Sequence, residues 1–170
     1  MTDLTKISLS GLDMRVLNPD AKVLKYTDLY DYHNVDELFN DTDKVILLYL
    51  TMNDHSGHWT CLFKNKEGIN YFDSYGVPID YQYELLTPDK RHQLHVEQDY
   101  LKKILFNEKV CYNNITYQKK GTQTCGDHVS FRLGHSSINN LDYFNIFAKR
   151  KLDPDEVVSK WCFSKLKNLM

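Results

Sequence analysis

The feature that most constrains how this chain folds is a run of six apolar residues, Val45-Ile46-Leu47-Leu48-Tyr49-Leu50, with turn residues on both sides. A run of that length with no polar face reads as a strand over residues 44–51, covered on both sides. It falls far short of the roughly 20 apolar residues needed to cross a membrane, so no membrane partner is expected. Residues 59–63 and 69–72 flank Asn65-Lys66-Glu67-Gly68 and read as a β-hairpin. Pairing those strands would bring His58, at the start of one, near Asp73, at the end of the other.

Helical patterns surround this β-rich stretch. Asn34 and Glu37 have capping-box spacing and open a short helix through Leu38-Phe39. Thr87-Pro88-Asp89 is a helix start, and Val96, Tyr100, Leu101, Ile104 and Leu105 keep helical spacing up to Asn107. Residues 110–112 and 115–117 are short strand candidates. Cys125 stands just before a helical stretch, 128–133, that Gly134 ends. Leu141, Phe144 and Phe147 share a helical face. Asp153-Pro154-Asp155-Glu156 caps a last helix carrying Val157, Val158, Trp161, Lys165 and Leu169. Residues 4–25 mix turn residues with isolated apolar ones and read as an irregular leading segment.

The expected fold is therefore α+β: a central mixed β-sheet flanked by helices, in one domain spanning residues 1–170. A doubly wound nucleotide binder would alternate strands and helices and carry a glycine-rich phosphate loop, and the sequence has neither.

Composition narrows the function classes. A net charge of −2 and only small basic clusters, such as Lys149-Arg150-Lys151, argue against nucleic acid as an obligate partner. The first residues show no basic segment followed by an apolar stretch, so no signal peptide is expected. The four cysteines, Cys61, Cys111, Cys125 and Cys162, form no CxxC pair, which points to free thiols in a reducing compartment. Cys61, Cys111 and Cys162 lie in apolar patterns and read as core residues.

Three short segments carry chemistry: Gly57-His58-Trp59, then Tyr71-Phe72-Asp73-Ser74-Tyr75-Gly76, then Gln118 seven residues before Cys125-Gly126. They supply a base, an orienting carboxylate, an amide donor and a thiol. A thiol nucleophile needs a base, the base needs a group that fixes its tautomer, and the oxyanion needs preorganised donors. A helix N-terminus and an adjacent imidazolium both favour a thiolate. The catalytic candidates are thus His58, Asp73, Cys125 and Gln118, with Gln118 as oxyanion donor. Gln123 is a rival, but two residues before the thiol it is too close to fold back over it. Gly57, Trp59 and Gly126 are the candidate substrate-contacting residues. Gly126 would let the backbone approach a bound carbonyl, and Trp59 would narrow the groove, favouring Gly or Ala at the scissile bond. His55 reads as a solvated loop residue. His128 lies one helical turn after Cys125, but a Cys-x-x-His pair alone makes a weak metal signature, so no metal and no cofactor are expected. Ser130, Ser136 and Ser137 lack a nucleophile-elbow context.

At these residues the chain resembles the adenain-like and SUMO-protease-like cysteine peptidases of clan CE. The matching pattern is His-Trp, Phe-Asp-Ser-x-Gly, Gln and Cys-Gly, spread over residues 58–126. The resemblance implies a cysteine endopeptidase in which His58 is the general base, Asp73 its partner and Cys125 the nucleophile, with Gln118 and the Cys125 N–H as the oxyanion hole. SUMO proteases usually place the Gln six residues before the Cys and an Asp directly before it. The seven-residue spacing and Thr124 here resemble the adenovirus branch and its relatives in virophages, polinton-like viruses and large DNA viruses. That branch implies maturation of viral capsid and other structural precursors, in the virion or host cytoplasm. Its substrates would be protein or peptide, with no activating peptide assignable from the sequence. The alternatives are a cytosolic deubiquitinase or deSUMOylase, and an interaction domain on a catalytically decayed protease fold.

Overall fold

A computed structural model describes residues 1–51 and 57–170. Its frame is a five-stranded mixed sheet whose strands lie side by side in chain order: β1 (Lys22–Lys25), β2 (Lys44–Leu50), β3 (Gly57–Asn65), β4 (Gly68–Phe72) and β5 (Val110–Tyr112). The three central strands form an antiparallel meander, and β1 and β5 join its two edges in parallel. The apolar run is β2, buried from Val45 to Leu50. The predicted hairpin is β3–β4, closed around Asn65↔Gly68, with Gly68 at φ 103°, a conformation only glycine adopts at no steric cost.

The helices are α1 (Gly11–Leu17), α2 (Val35–Leu38), α3 (Tyr81–Glu84), α4 (Pro88–Gln93), α5 (Tyr100–Ile104), α6 (Cys125–Gly134), α7 (Asn140–Ala148) and α8 (Pro154–Leu169). Helix α6 lies on β3, with α8 and α1 packed behind it. It is buried from Gly126 to Leu133. The Arg132 guanidinium is held between the Phe63 and Tyr143 rings and donates to the His135 and Ile138 carbonyls. The opposite face of the sheet is covered by Tyr26 and Tyr83, packed on Tyr49 of β2. Tyr49 donates a 2.8 Å hydrogen bond to the buried Asp80 carboxylate. Among the described residues, no helix is long and apolar enough to cross a membrane.

Several local expectations change. The leading segment is not irregular: Ser10 and Asp13 form a capping box that starts α1, and β1 follows as a sheet edge. The helix expected up to Asn107 is two helices. His95, at φ 58°, ends α4, and the Arg91 side chain donates to the Val96 carbonyl across that break. Residues 115–117 are not a strand. Tyr117 and Gln118 both donate their N–H groups to the one Ser74 carbonyl, which is loop bonding rather than a ladder. Glu37 reaches past Asn34 to the His33 N–H, so only half of the expected capping box forms. On α7 the buried pair is Tyr143 and Phe147, while Leu141 is exposed. Cys61 and Cys162 are core residues, whereas Cys111 is only partly buried on the edge strand β5.

Candidate active site

The site forms where β3 begins, β4 ends and α6 starts. The meander register pairs Cys61 with Phe72, so β3 overhangs the end of β4, and His58 on the overhang meets Asp73 just beyond Phe72. His58 Nε2 lies 3.1 Å from Asp73 Oδ2. That carboxylate is wholly buried and tightly held: Oδ1 accepts from the Tyr75 N–H at 2.7 Å, and Oδ2 also accepts from Gln82 Nε2 at 2.9 Å. The Asn113 side chain clamps the Asp73 backbone from both sides, accepting its N–H and donating to its carbonyl. Tyr75 lies over the imidazole, ring centroids 5.2 Å apart and nearly parallel.

With Nε2 committed to Asp73, Nδ1 is the ring nitrogen left for a thiol, and Cys125 supplies one. Cys125 is the first residue of α6 and partly exposed, and it is near enough to the same imidazole to act on its protonation. Burial by itself would lower the His58 pKa, but the hydrogen bonds and charges of Asp73 and Cys125 outweigh it and raise it to about 10. A pKa raised that far favours the imidazolium form of His58 at neutral pH. Burial pushes the Cys61 and Cys162 thiols well up instead.

Gln118 lies on the 118–124 loop, which Gly121 turns back towards α6 at φ 86°. Its amide is oriented from both ends: Oε1 accepts from the Ser74 hydroxyl at 2.7 Å, and Nε2 donates to the Thr122 carbonyl at 3.2 Å. An amide nitrogen has two N–H bonds, so one remains for a ligand. Gln123 is exposed, and its backbone N–H is taken by the Thr5 carbonyl at 2.8 Å. The structure thus separates the two glutamines: one is buried with a fixed amide, the other faces solvent.

The three expected substrate-contacting residues each have a packing role. A Cβ on Gly57 would lie 1.7 Å from the Tyr49 carbonyl oxygen, so β2 and β3 can close together there only at a glycine. A Cβ on Gly126 would meet Leu9, Met14 and Trp59 at 3.1–3.2 Å, so the helix start packs closely against the core there. Trp59 is only 7% exposed, and its indole N–H donates to the Leu9 carbonyl. His55 lies outside the described residues. Among the described residues no cluster of three or more His, Cys, Asp and Glu side chains could hold a metal ion.

Sequence reasoning missed the supporting residues. Ser74 could have been found, because it directly follows Asp73 in a motif already singled out. Gln82, Asn113 and Asp155 carry no local signal, since each acts through contacts distant in sequence. Asp155 is the largest omission. It is buried on α8, where it accepts from His128 at 3.0 Å and from the backbone of Lys119 at 2.9 Å.

Comparisons with known proteins add a relative but no function. No family model matches the sequence. The chain is 28% identical over 167 residues to the uncharacterized protein V9 of Sputnik virophage, an alignment that covers 91% of this chain and 93% of that one. Among solved structures, the central domain of the uncharacterized Lpg1148 protein from Legionella pneumophila matches with a TM-score of 0.45 at 16% identity, over 95% of this chain and 99% of that one.

Proposed function

We propose that this chain is a cysteine endopeptidase of the adenain/SUMO-protease-like fold, with Cys125 as nucleophile, His58 as base, Asp73 as its orienter and Gln118 as oxyanion donor. The observation that carries this reading is an imidazole 3.1 Å from a buried carboxylate, with its pKa raised by both that carboxylate and a thiol at the start of a helix. A structural histidine needs one partner. One that joins a fixed carboxylate to a partly exposed thiol has the arrangement of a nucleophile and its base.

The geometry supports the following steps. The Cys125 thiolate attacks the scissile carbonyl carbon, forming the S–C bond and placing the negative charge on the carbonyl oxygen. That oxygen takes the free Gln118 N–H and the N–H of Cys125. Thr124, at the N-cap, makes no side-chain cap bond, so the first-turn N–H groups of α6 are left for a ligand. His58 delivers its proton to the departing amine as the C–N bond breaks, leaving a thioester. Neutral His58 then takes a proton from water as hydroxide attacks the thioester, and the acid product leaves with Cys125 again the thiolate. Asp73 holds the Nε2–H throughout, keeping the tautomer that directs Nδ1 at the sulfur.

The similarity to a virophage protein along almost the whole chain, together with the Gln118–Cys125 spacing, favours processing of viral structural precursors. Two substrate panels test the reading: peptides spanning precursor junctions, and ubiquitin- or SUMO-fluorophore conjugates. The expected result is peptide cleavage that Cys125→Ala abolishes, with the conjugates left intact. Turnover of the conjugates alone would establish the modifier-protease reading, and a wild-type chain inert on both panels would establish the decayed domain.

A further inference from the structure

The Asp155 carboxylate is 1% exposed and ties together two segments that the peptidase reading requires to stay in register. Its Oδ2 accepts the backbone N–H of Lys119, the residue directly after Gln118, at 2.9 Å. Its Oδ1 accepts the hydroxyl of Thr124, the residue directly before Cys125, and lies 3.0 Å from His128 Nε2, one helical turn after Cys125. The Thr122 hydroxyl, whose residue's carbonyl receives the Gln118 amide, lies 3.4 Å from Oδ1. One carboxylate thus holds the residue after the oxyanion donor and the residue before the nucleophile. Thr124 stands at the N-cap of α6, yet its hydroxyl turns to Asp155 instead of capping the helix. A cap hydroxyl usually stabilises a helix by satisfying a first-turn N–H. Here that bond is given up, and Asp155 sits on α8, outside both segments. Burial opposes its ionisation, but the hydrogen bonds from His128, Thr124 and Lys119 outweigh burial and hold the carboxyl below its usual range.

We propose that Asp155 is a positioning residue for the oxyanion hole. It anchors the 118–124 loop and the start of α6 to α8, and so sets where the Gln118 amide and the α6 N–H groups converge on the substrate carbonyl oxygen. This rests on the peptidase reading, with Asp155 acting through Gln118 and without touching substrate. Its loss should spare the Cys125–His58 pair, which lies on the β3 side of the helix start.

The test is a double-mutant cycle read out two ways, by kcat and KM for peptide cleavage and by the rate of Cys125 alkylation with iodoacetamide. Alkylation is a displacement in which the S–C bond forms as the C–I bond breaks. No oxyanion develops, so it reports on the thiolate alone. Asp155→Asn should lower kcat by about 10-fold to 10²-fold, the loss that a misplacement of about 1 Å brings. KM and the alkylation rate should stay within about threefold of wild type. In a Gln118→Ala background the same change should cost clearly less than in wild type, because one of the two contacts it positions is already gone. Thr124→Val removes one donor with little change in volume and should show the same pattern on a smaller scale, which decides the matter if Asp155→Asn fails to fold. Losses that multiply in full on the Gln118→Ala background, or alkylation that falls in step with kcat, would overturn the proposal. A wild-type chain that alkylates at Cys125 but cleaves none of the peptides would remove the peptidase reading itself, and this one with it.

Discussion

Two buried histidine–carboxylate pairs flank the start of α6, and they behave in opposite ways. His58 lies 3.1 Å from Asp73, and His128 lies 3.0 Å from Asp155. The imidazole of His58 retains 11% exposure, while that of His128 has none. The His58 pKa is raised to about 10, because Asp73 and Cys125 together overcome burial. At His128 burial wins over Asp155 and lowers the pKa, so the ring is a neutral donor. Its Nδ1 is buried, with no hydrogen-bond partner among the described residues. A hydrogen-bonded carboxylate therefore does not make a histidine a base. At His58 a second group, Cys125, adds to the carboxylate's effect, and the ring keeps some exposure.

The largest expected effect separates the pairs by activity. His58→Ala should lower kcat for peptide cleavage by about 10³-fold or more, at the upper end of general acid–base contributions. His128→Ala should keep kcat within about tenfold but cost roughly 2–3 kcal/mol of stability, the loss of a buried hydrogen bond to a charged group. Chemical denaturation beside the cleavage assay checks both, and equal kcat losses at the two histidines would erase the distinction.

The next effect sets the two glutamines against each other. Gln118→Ala should lose about 10²–10³ in kcat with KM little changed, as removal of one oxyanion donor does. Gln123 is exposed, and its replacement by Ala should leave turnover within a few-fold. Both variants should melt near the parent temperature. A large kcat defect at Gln123 alone would assign the donor to the wrong residue.

The pH dependence of stability should show the same opposition. His58 has its folded pKa raised to about 10, above the ordinary value of 6.5, so its contribution is complete below 6.5 and lost as pH rises through about 10. His128 is shifted down, so its contribution is present above 6.5 and lost as pH falls below that value. Urea titrations across pH should show His58→Gln flattening the alkaline limb and His128→Gln the acid limb. Exchanged limbs would reverse the charge states assigned to the two rings.

The smallest effect is a difference in labelling order. At limiting iodoacetamide near neutral pH, Cys125 should carry the dominant adduct, because Cys61 and Cys162 are buried with their thiols pushed up. Cys111 is partly exposed on the edge strand β5, where its thiol meets the Glu67 carbonyl rather than an imidazole, so it should follow more slowly. Peptide mass mapping reads the order directly, and equal labelling of Cys111 would mean that the imidazolium gives Cys125 no advantage.

The sequence by itself determined the parts whose signal is local. A six-residue apolar run bounded by turn residues reads as an interior strand, and four turn residues between two apolar stretches read as a hairpin. The placement of His58 near Asp73 follows from that hairpin, because strand pairing converts spacing along the chain into distance in space. Cys125 at the start of a helix was equally legible. Only the tertiary structure decided the rest. Whether residues 4–25 form a helix and an edge strand depended on β2 being there to pair with. That Trp59, Gly57 and Gly126 serve packing is set by atoms from distant segments, Leu9 and Tyr49 among them. Asp155 reads in the sequence as one more acidic residue in a helix cap. It becomes the brace of the loop before Cys125 because α8 docks beside α6. A contact between segments more than thirty residues apart leaves no periodicity and no motif, so that docking alone reveals it.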